Sequence, residues 1–236
     1  MIVRRRFIRT LLFALPTTIL YAENSHQAGT IYFARHAETV ANAGGHYNSA
    51  TVDQLSSKGL SSLPVLTEEL SSLQIDEIRV SPMRRAMITV LPYLQAAQRT
   101  AVIWPELAEC CYQRNRAVPP STNLPRGGNV LVPAGEERWF LAESGAHTYE
   151  PANYADGLAQ IRLAAERIRT EFGGSGKNVL LVGHSLAGSR LLELLTGRPP
   201  QGHLAIINAK VSSLQANVDG SFHLATLNGQ SYQARS

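Results

Sequence analysis

Thr30-Ile-Tyr-Phe-Ala34 is a short apolar run rich in β-branched and aromatic residues, and the polar pair Arg35-His36 follows it directly. The run from Asn178 to Val182 repeats this arrangement late in the chain and leads into Gly183-His184-Ser185. Such runs are typical of buried strands in a parallel sheet. Because functional groups in these sheets gather at the carboxyl ends of the strands, both polar clusters are expected there.

The rest of the chain alternates between strand and helix patterns. Further strands are predicted from Glu77 to Val80 and over residues 101 to 104, and a terminal hairpin around Asp219-Gly220. Helices are predicted after a Ser56 cap, from Pro82 through Tyr93, along residues 158 to 172, and from Leu186 to Thr196. This order predicts an α/β fold, a three-layer α/β/α sandwich with a mostly parallel central sheet.

Two details of the helices are open to test. The predicted inner face of the first helix consists of Leu60, Leu63, Leu66 and Leu70, and Pro64 in that segment predicts a kink or a later start. The predicted inner face of the helix along residues 158 to 172 consists of Leu158, Ile161, Ala165, Ile168 and Phe172.

The region from residue 112 to about residue 150 lacks clear periodicity and contains four prolines and four glycines. A loop of this length in a compact domain is usually functional. We therefore expect one domain over residues 28–236, carrying a lid-like insertion at about 112–150 that shapes substrate choice.

Positive charge is concentrated at the amino terminus. The chain has a formal charge of +4, and the first 22 residues contain Arg4, Arg5, Arg6 and Arg9 but no acid. Without these four, the remaining 18 basic residues equal the 18 acidic ones, so nucleic acid is not an expected partner.

Residues 1–22 have the pattern of a secretory signal peptide, with a cationic start and an apolar run from Thr10 to Leu20. The segment Arg4 to Arg9 resembles a twin-arginine export signal. We expect a periplasmic or secreted protein with no stable membrane insertion after signal removal. An amphipathic first helix or an uncleaved anchor is the alternative.

The cysteines of the chain say little about its compartment. Cys110 and Cys111 are the only cysteines, and a bridge between neighbours would be strained, so free thiols are expected. No zinc-binding spacing of Cys and His occurs.

Four segments carry a family resemblance. R-H-A-E-T-V-A-N (Arg35 to Asn42) resembles the R-H-G-x-T-x-x-N signature of the histidine phosphatase superfamily, branch 1, which is also called phosphoglycerate mutase-like. S-P-M-R-R-A-M-I-T (Ser81 to Thr89), L-A-E (Leu107 to Glu109) and V-L-L-V-G-H-S (Val179 to Ser185) are similar to later motifs of the same family. L-S-S-K-G from Leu55 and the terminal hairpin also fit in order.

The resemblance implies two-step hydrolysis of a small phosphomonoester, without metal or organic cofactor. His36 would be the nucleophile, and Glu109 would protonate the leaving oxygen, although Glu106 is close enough to compete for that role. The groups implied to hold the phosphate are Arg35, Asn42, Arg85 and His184. Imidazole is a competent nucleophile near neutral pH, and guanidinium donors match phosphate oxygens.

Some positions depart from the family pattern. Ala37 stands where glycine is usual, and Gly183 and Ser185 exchange the small residues around His184. The mutase branch is disfavoured because Cys110 to Arg116 does not resemble its characteristic segment. The acid phosphatase and phytase branch is disfavoured because Thr39 and Ser185 occupy its key positions.

Two other functions remain open. In an α/β-hydrolase esterase, Ser185 would be the nucleophile and Asp219 and His223 would complete the triad. Ala187 replaces the glycine of the nucleophile elbow, and only 51 residues follow Ser185. A catalytically silent module that binds a phosphate ligand is the non-enzymatic alternative.

Overall fold

The structure, a computed structural model, describes residues 29–112, 128–149, 151–217 and 219–233. The predicted signal peptide lies outside the described residues. An eight-stranded sheet runs in the order β4-β3-β2-β5-β1-β6-β7-β8. Its strands are β1 (Thr30–Arg35), β2 (Glu77–Val80), β3 (Ala101–Ile103), β4 (Phe140–Ala142), β5 (Val179–Gly183), β6 (Val211–Ala216), β7 (Phe222–Leu227) and β8 (Gln230–Ser231).

Five strands, from β4 across to β1, run parallel, and β6 to β8 complete the sheet in antiparallel order. The helices are α1 (Val40–Gly44), α2 (Ser57–Ser71), α3 (Arg84–Ala97), α4 (Tyr154–Phe172) and α5 (Ser185–Leu195). The β6–β7 pair confirms the predicted terminal hairpin.

Side chains of the central strands alternate between two cores. Ile31 and Phe33 of β1 pack in the same core as α4 and α5, whereas Ala34 packs with α2 and α3. Leu181 and Val182 of β5 divide in the same way. Burying each large side chain contributes about 1.5–3 kcal/mol, which explains why these strands are continuous apolar runs. The predicted three-layer α/β/α sandwich is confirmed.

Helix boundaries follow local chemistry, with some differences from prediction. The Ser56 hydroxyl caps α2 by accepting from the Gly59 amide at 3.0 Å, and α2 continues through Pro64. Leu60, predicted to face the core, is 56% exposed. Helix α3 begins at Arg84, two residues after Pro82, and continues to Ala97.

The predicted insertion at about 112–150 needs correction at its carboxyl end. Residues 113–127 and 150 lie outside the described residues. Phe140–Ala142 forms β4, which pairs in parallel with β3 at one edge of the sheet, and Phe140 is buried. This part of the region therefore belongs to the sheet.

Close packing sets the position of α5 over the sheet. A Cβ atom at Gly188 would lie 2.3 Å from Cζ of Phe33, and one at Gly183 would lie 3.1 Å from the same atom. Glycine at both positions lets the Phe33 ring fill the space between β1 and α5. The amino terminus of α5 is thereby held beside the end of β1.

None of the helices in the described part of the chain has the length and hydropathy that crossing a bilayer requires.

Candidate active site

The carboxyl ends of β1 and β5 bring two polar clusters together. Arg35 ends β1 and pairs with Gly183 of β5, and the His36 amide donates to the Gly183 carbonyl at 3.0 Å. The rings of His36 and His184 are both buried, with centroids 5.2 Å apart and planes inclined by 55°. Two histidines 148 positions apart in sequence thus share one site.

A cavity of about 280 Å³ opens at this edge. Its lining includes five of the residues singled out from the sequence: Arg35, His36, Asn42, Arg85 and Glu109. The sixth, His184, is fully buried and does not line the cavity, but its ring lies beside that of His36.

The His36 ring is held in a form suited to nucleophilic attack. Nδ1 lies 2.7 Å from the Ala37 carbonyl oxygen, which can only accept, so Nδ1 carries the proton and Nε2 keeps its lone pair. Burial lowers the pKa of His36 well below its usual range, and the Arg85 and Arg35 cations lower it further. The ring is therefore neutral at physiological pH.

Two guanidinium groups reach the cavity from different elements. Nη1 of Arg35 donates to the Ile206 carbonyl at 2.7 Å. Arg85, in the first turn of α3, is buried and pairs with Asp53, whose Oδ1 accepts from Nη1 at 3.0 Å and from the Arg85 amide at 3.2 Å. Asp53 was missed by the sequence analysis, and its position just before the L-S-S-K-G segment is the signal that could have found it.

A buried hydroxyl connects α3 to the backbone directly after His36. Thr89, the last residue of the second motif, donates through Oγ1 to the Arg85 carbonyl at 2.7 Å and accepts from the Ala37 amide at 2.8 Å. Ala37 itself is fully buried and keeps a backbone conformation outside the left-handed region. The exchange of glycine for alanine therefore introduces no backbone strain.

Asn42 lies at the start of α1 in a capping box with Thr39. Its Oδ1 accepts from the Thr39 amide at 3.2 Å and from Nδ2 of Asn208 at 3.3 Å. With its oxygen engaged, the Asn42 amide turns its NH₂ group towards the cavity side, where it donates to the Tyr47 hydroxyl at 3.2 Å. Asn208 also donates to the His36 carbonyl at 2.8 Å, a role that no sequence pattern indicated.

The structure distinguishes Glu109 from Glu106, the two candidates for the proton donor. Glu109 lies in the cavity with His36, and its carboxylate accepts from the Ala187 amide at 2.8 Å and the Leu186 amide at 3.3 Å. Burial raises the pKa of Glu109, although these amides and the two arginines oppose the shift. Glu106 lines a different cavity. Of the two glutamates, Glu109 is therefore the one that lies in the cavity with His36.

The esterase triad is not assembled in the described residues. Ser185 is the first residue of α5, and His184 occupies the cap position before it. His223 lines a cavity beyond the opposite end of α5, about 16 Å away for an 11-residue helix. Its Nδ1 contacts Asn217, and Asp219 accepts from Ser221 instead.

The cysteines take no part in the site. Cys110 and Cys111 are free and buried, and Sγ of Cys110 donates to the Gly157 carbonyl at 3.3 Å. Burial raises the pKa of the Cys110 thiol. Within the described residues, no group of three or more His, Cys, Asp or Glu side chains has the spacing to hold a metal ion.

Among the solved structures to which this chain is similar in fold are three phosphatases. The α-ribazole phosphatase of Shigella flexneri has a TM-score of 0.62 at 20% identity, covering 88% of this chain and 100% of its own. A mycobacterial glucosyl-3-phosphoglycerate phosphatase has a TM-score of 0.60 at 20% identity, covering 85% and 99%. A phosphoserine phosphatase mutant of Entamoeba histolytica has a TM-score of 0.56 at 15% identity, covering 85% and 97%.

A search of curated protein sequences finds no match to the chain. The sequence model of the histidine phosphatase superfamily, branch 1, matches residues 31–229, a span that contains both strand-end histidines, Arg85 and Glu109. The chain therefore belongs to the histidine phosphatase superfamily, branch 1.

Proposed function

We propose that the protein hydrolyses a small phosphomonoester in two steps through a phosphohistidine on His36. One observation carries the proposal: a neutral His36 lines a cavity together with Arg35, Arg85 and Glu109, and the centroid of its ring lies 5.2 Å from that of a second, fully buried imidazole. Phosphoryl transfer needs a nucleophile, fixed positive charge and a proton for the leaving alcohol, and these groups supply all three.

In the first step, Nε2 of His36 attacks phosphorus and the bond from phosphorus to the ester oxygen breaks. Glu109 donates its proton to the departing alkoxide, and its raised pKa favours the protonated form needed for this task. Arg35, Arg85, Asn42 and the His184 ring are the donors proposed for the equatorial oxygens.

In the second step, the Glu109 carboxylate takes a proton from water as the water oxygen attacks phosphorus. The phosphorus–nitrogen bond breaks, inorganic phosphate leaves, and His36 returns to its neutral form. Glu109 ends protonated, so the cycle closes without metal or organic cofactor.

Rapid-quench labelling tests the intermediate. The protein is mixed with a ³²P-labelled monoester and denatured within milliseconds, and we expect acid-labile, base-stable label on His36. His36→Ala should carry none, whereas Ser185→Ala should be labelled like wild type. Carboxylic ester hydrolysis that is lost only in Ser185→Ala would support the esterase instead. Tight phosphate binding without label or turnover would support the silent module.

The substrate is to be found by screening. The wall of the cavity includes Tyr47, Val52 and Leu186 beside the phosphate-binding groups, so the alcohol portion contacts largely uncharged side chains in the described part of the wall. A panel of phosphorylated sugars, nucleotides, amino acids and lipid head groups should include α-ribazole-5'-phosphate, glucosyl-3-phosphoglycerate and phosphoserine. We expect hydrolysis of at least one class, and turnover of carboxylic esters alone would contradict the proposal.

The proposal extends to location in the periplasm or outside the cell. The support is the cationic start and apolar run of residues 1–22. Expression of the full chain in a bacterium, followed by fractionation and amino-terminal sequencing, should recover a product starting after residue 22 outside the cytoplasm. An intact amino terminus on cytoplasmic protein would refute export. Replacement of Arg4 and Arg5 by Lys distinguishes the twin-arginine route from the general one.

A further inference from the structure

The carboxyl end of β2 places a serine hydroxyl against the second imidazole. Ser81 directly follows β2, and its amide donates to the Val182 carbonyl of β5 at 2.9 Å. This register brings Oγ of Ser81 to 2.7 Å from Nε2 of His184. Both residues are fully buried, so water does not compete for the contact.

The hydrogen bonds of this hydroxyl define its direction. Oγ of Ser81 accepts from the Met83 amide at 3.2 Å. Within the described part of the chain, Nε2 of His184 is the one acceptor in range of the hydroxyl hydrogen. A hydroxyl carries a single hydrogen, so the arrangement that satisfies every group has Ser81 donating and Nε2 accepting. The ring proton of a neutral His184 then lies on Nδ1.

The Nδ1 atom is buried and has no hydrogen-bond partner among the described residues. An unsatisfied buried donor costs about 1–3 kcal/mol, so folded proteins seldom leave one except where a ligand completes it. The neighbouring group is the His36 ring, on which the phosphoryl group is proposed to form.

We infer that Ser81 is a positioning residue that holds His184 in the tautomer protonated at Nδ1, so that Nδ1–H is the donor offered to a phosphoryl oxygen. The inference rests on the proposed function for its catalytic meaning. The opposite tautomer would leave the hydroxyl hydrogen without an acceptor and would turn the Nδ1 lone pair towards an anion.

The two rings thus carry their protons on the same nitrogen for opposite uses. In His36, the Ala37 carbonyl takes the Nδ1 proton and frees Nε2 for attack. In His184, the Ser81 hydroxyl occupies Nε2 and leaves the Nδ1 proton for donation. The pair of tautomers separates nucleophile from hydrogen-bond donor without either ring becoming charged.

Ring ¹⁵N NMR of the full chain tests the inference directly. At pH 7.5 the His184 resonances, assigned by their loss in His184→Gln, should show a protonated Nδ1 and an unprotonated Nε2. Ser81→Ala should move the ring towards the tautomer protonated at Nε2, and Ser81→Thr, which keeps the hydroxyl, should restore the wild-type pattern. A wild-type His184 protonated at Nε2 overturns the inference, whether or not any variant folds.

Kinetics give the second readout. Ser81→Ala should lower kcat on p-nitrophenyl phosphate on the order of 10- to 100-fold with a smaller change in KM, because the lost contact orients a transition-state donor. The matched control is Ser212→Ala, which removes an equally buried hydroxyl that accepts from the Asn228 amide. It should keep wild-type kcat. Wild-type kcat in Ser81→Ala overturns the inference, whereas failure of the proposed function would appear as unchanged activity and labelling in His36→Ala.

Discussion

Gly59 is the point at which α2 contacts the loop that carries His36, the proposed nucleophile. A Cβ atom there would lie 2.0 Å from the Glu38 carbonyl oxygen and 3.0 Å from its carbonyl carbon. Ser56 strengthens the same junction, since its amide donates to the Glu38 carbonyl at 2.9 Å and its hydroxyl donates to Oε1 of Glu38 at 2.8 Å. Gly59→Ala should therefore push α2 away from the catalytic loop.

The size of the effect follows from the overlap. Ordinary contacts begin at 3.4 Å, so the two backbones must separate by about 1.4 Å, and neither side of the contact is a flexible side chain. Overpacking costs about 1–3 kcal/mol, and this rigid site belongs at the upper end. The greater helix propensity of alanine returns about 1 kcal/mol. The net loss of unfolding free energy should be about 2 kcal/mol, a fall in Tm of roughly 4–8 °C for a domain of this size.

Activity should fall as well, because Glu38 is two residues from His36. A displacement of about 1 Å at the reacting groups can reduce a rate by about 10²-fold, so we expect kcat/KM to fall on the order of 10- to 100-fold. Thermal unfolding and p-nitrophenyl phosphate hydrolysis measure the two effects. Gly44→Ala is the control, because nothing lies within 4 Å of its Cβ position, and it should match or exceed wild type. A Gly59→Ala protein with wild-type Tm and kcat/KM would refute the reasoning.

Three further predictions concern buried titratable side chains. Asp53→Ala should lower the unfolding free energy by about 3–5 kcal/mol, since it removes one member of the buried pair with Arg85, and urea unfolding equal to wild type would contradict this. The pKa values of His36 and His184 are lowered well below the usual value of about 6.5, so the stability they contribute is present above that pH. As pH falls below it, this stability is lost by about 1.4 kcal/mol per pH unit per ring. The decline in urea midpoint from pH 7.5 to 5 should therefore be shallower in a variant with both rings replaced by alanine. Glu109→Gln should slow hydrolysis of an alkyl phosphate far more than that of p-nitrophenyl phosphate, because nitrophenolate leaves without a proton, and equal losses on both would exclude Glu109 as the acid.

The sheet was predictable wherever strands are buried on both faces. Glu77–Val80 has its predicted bounds, and the strand predicted at residues 178–182 is shifted by one, to Val179–Gly183. All five residues of Val179–Gly183 are buried, and this leaves a continuous apolar signal. Strand β4 was missed because it has three residues, of which only Phe140 is buried. An edge strand this short has no period to detect.

Patterns in the sequence predicted the part of the site that lies at strand ends, and the family resemblance added Asn42, Arg85 and Glu109, which line the same cavity. His36 and His184 follow apolar runs, so topology alone places them at one edge of the sheet. Asp53 and Asn208 reach the site from loops, 32 residues before Arg85 and 172 residues after His36. Their contribution depends on tertiary contacts between distant segments, which leave no periodic pattern in the sequence.

The amino terminus of α5 connects His184 and Glu109. His184 occupies the cap position of this helix, and the amides of Leu186 and Ala187 in its first turn donate to the Glu109 carboxylate. A helix amino terminus stabilises negative charge, whereas burial opposes it, so Glu109 lies between the two effects. In the proposed mechanism, Glu109 gives its proton to the leaving group, and the amides of Leu186 and Ala187 are already in place to donate to the new carboxylate. A displacement of α5 would therefore disturb the proposed proton donor and the second imidazole together. Gly183 and Gly188 let α5 pack closely on Phe33, so substitutions at either glycine should affect catalysis as well as packing.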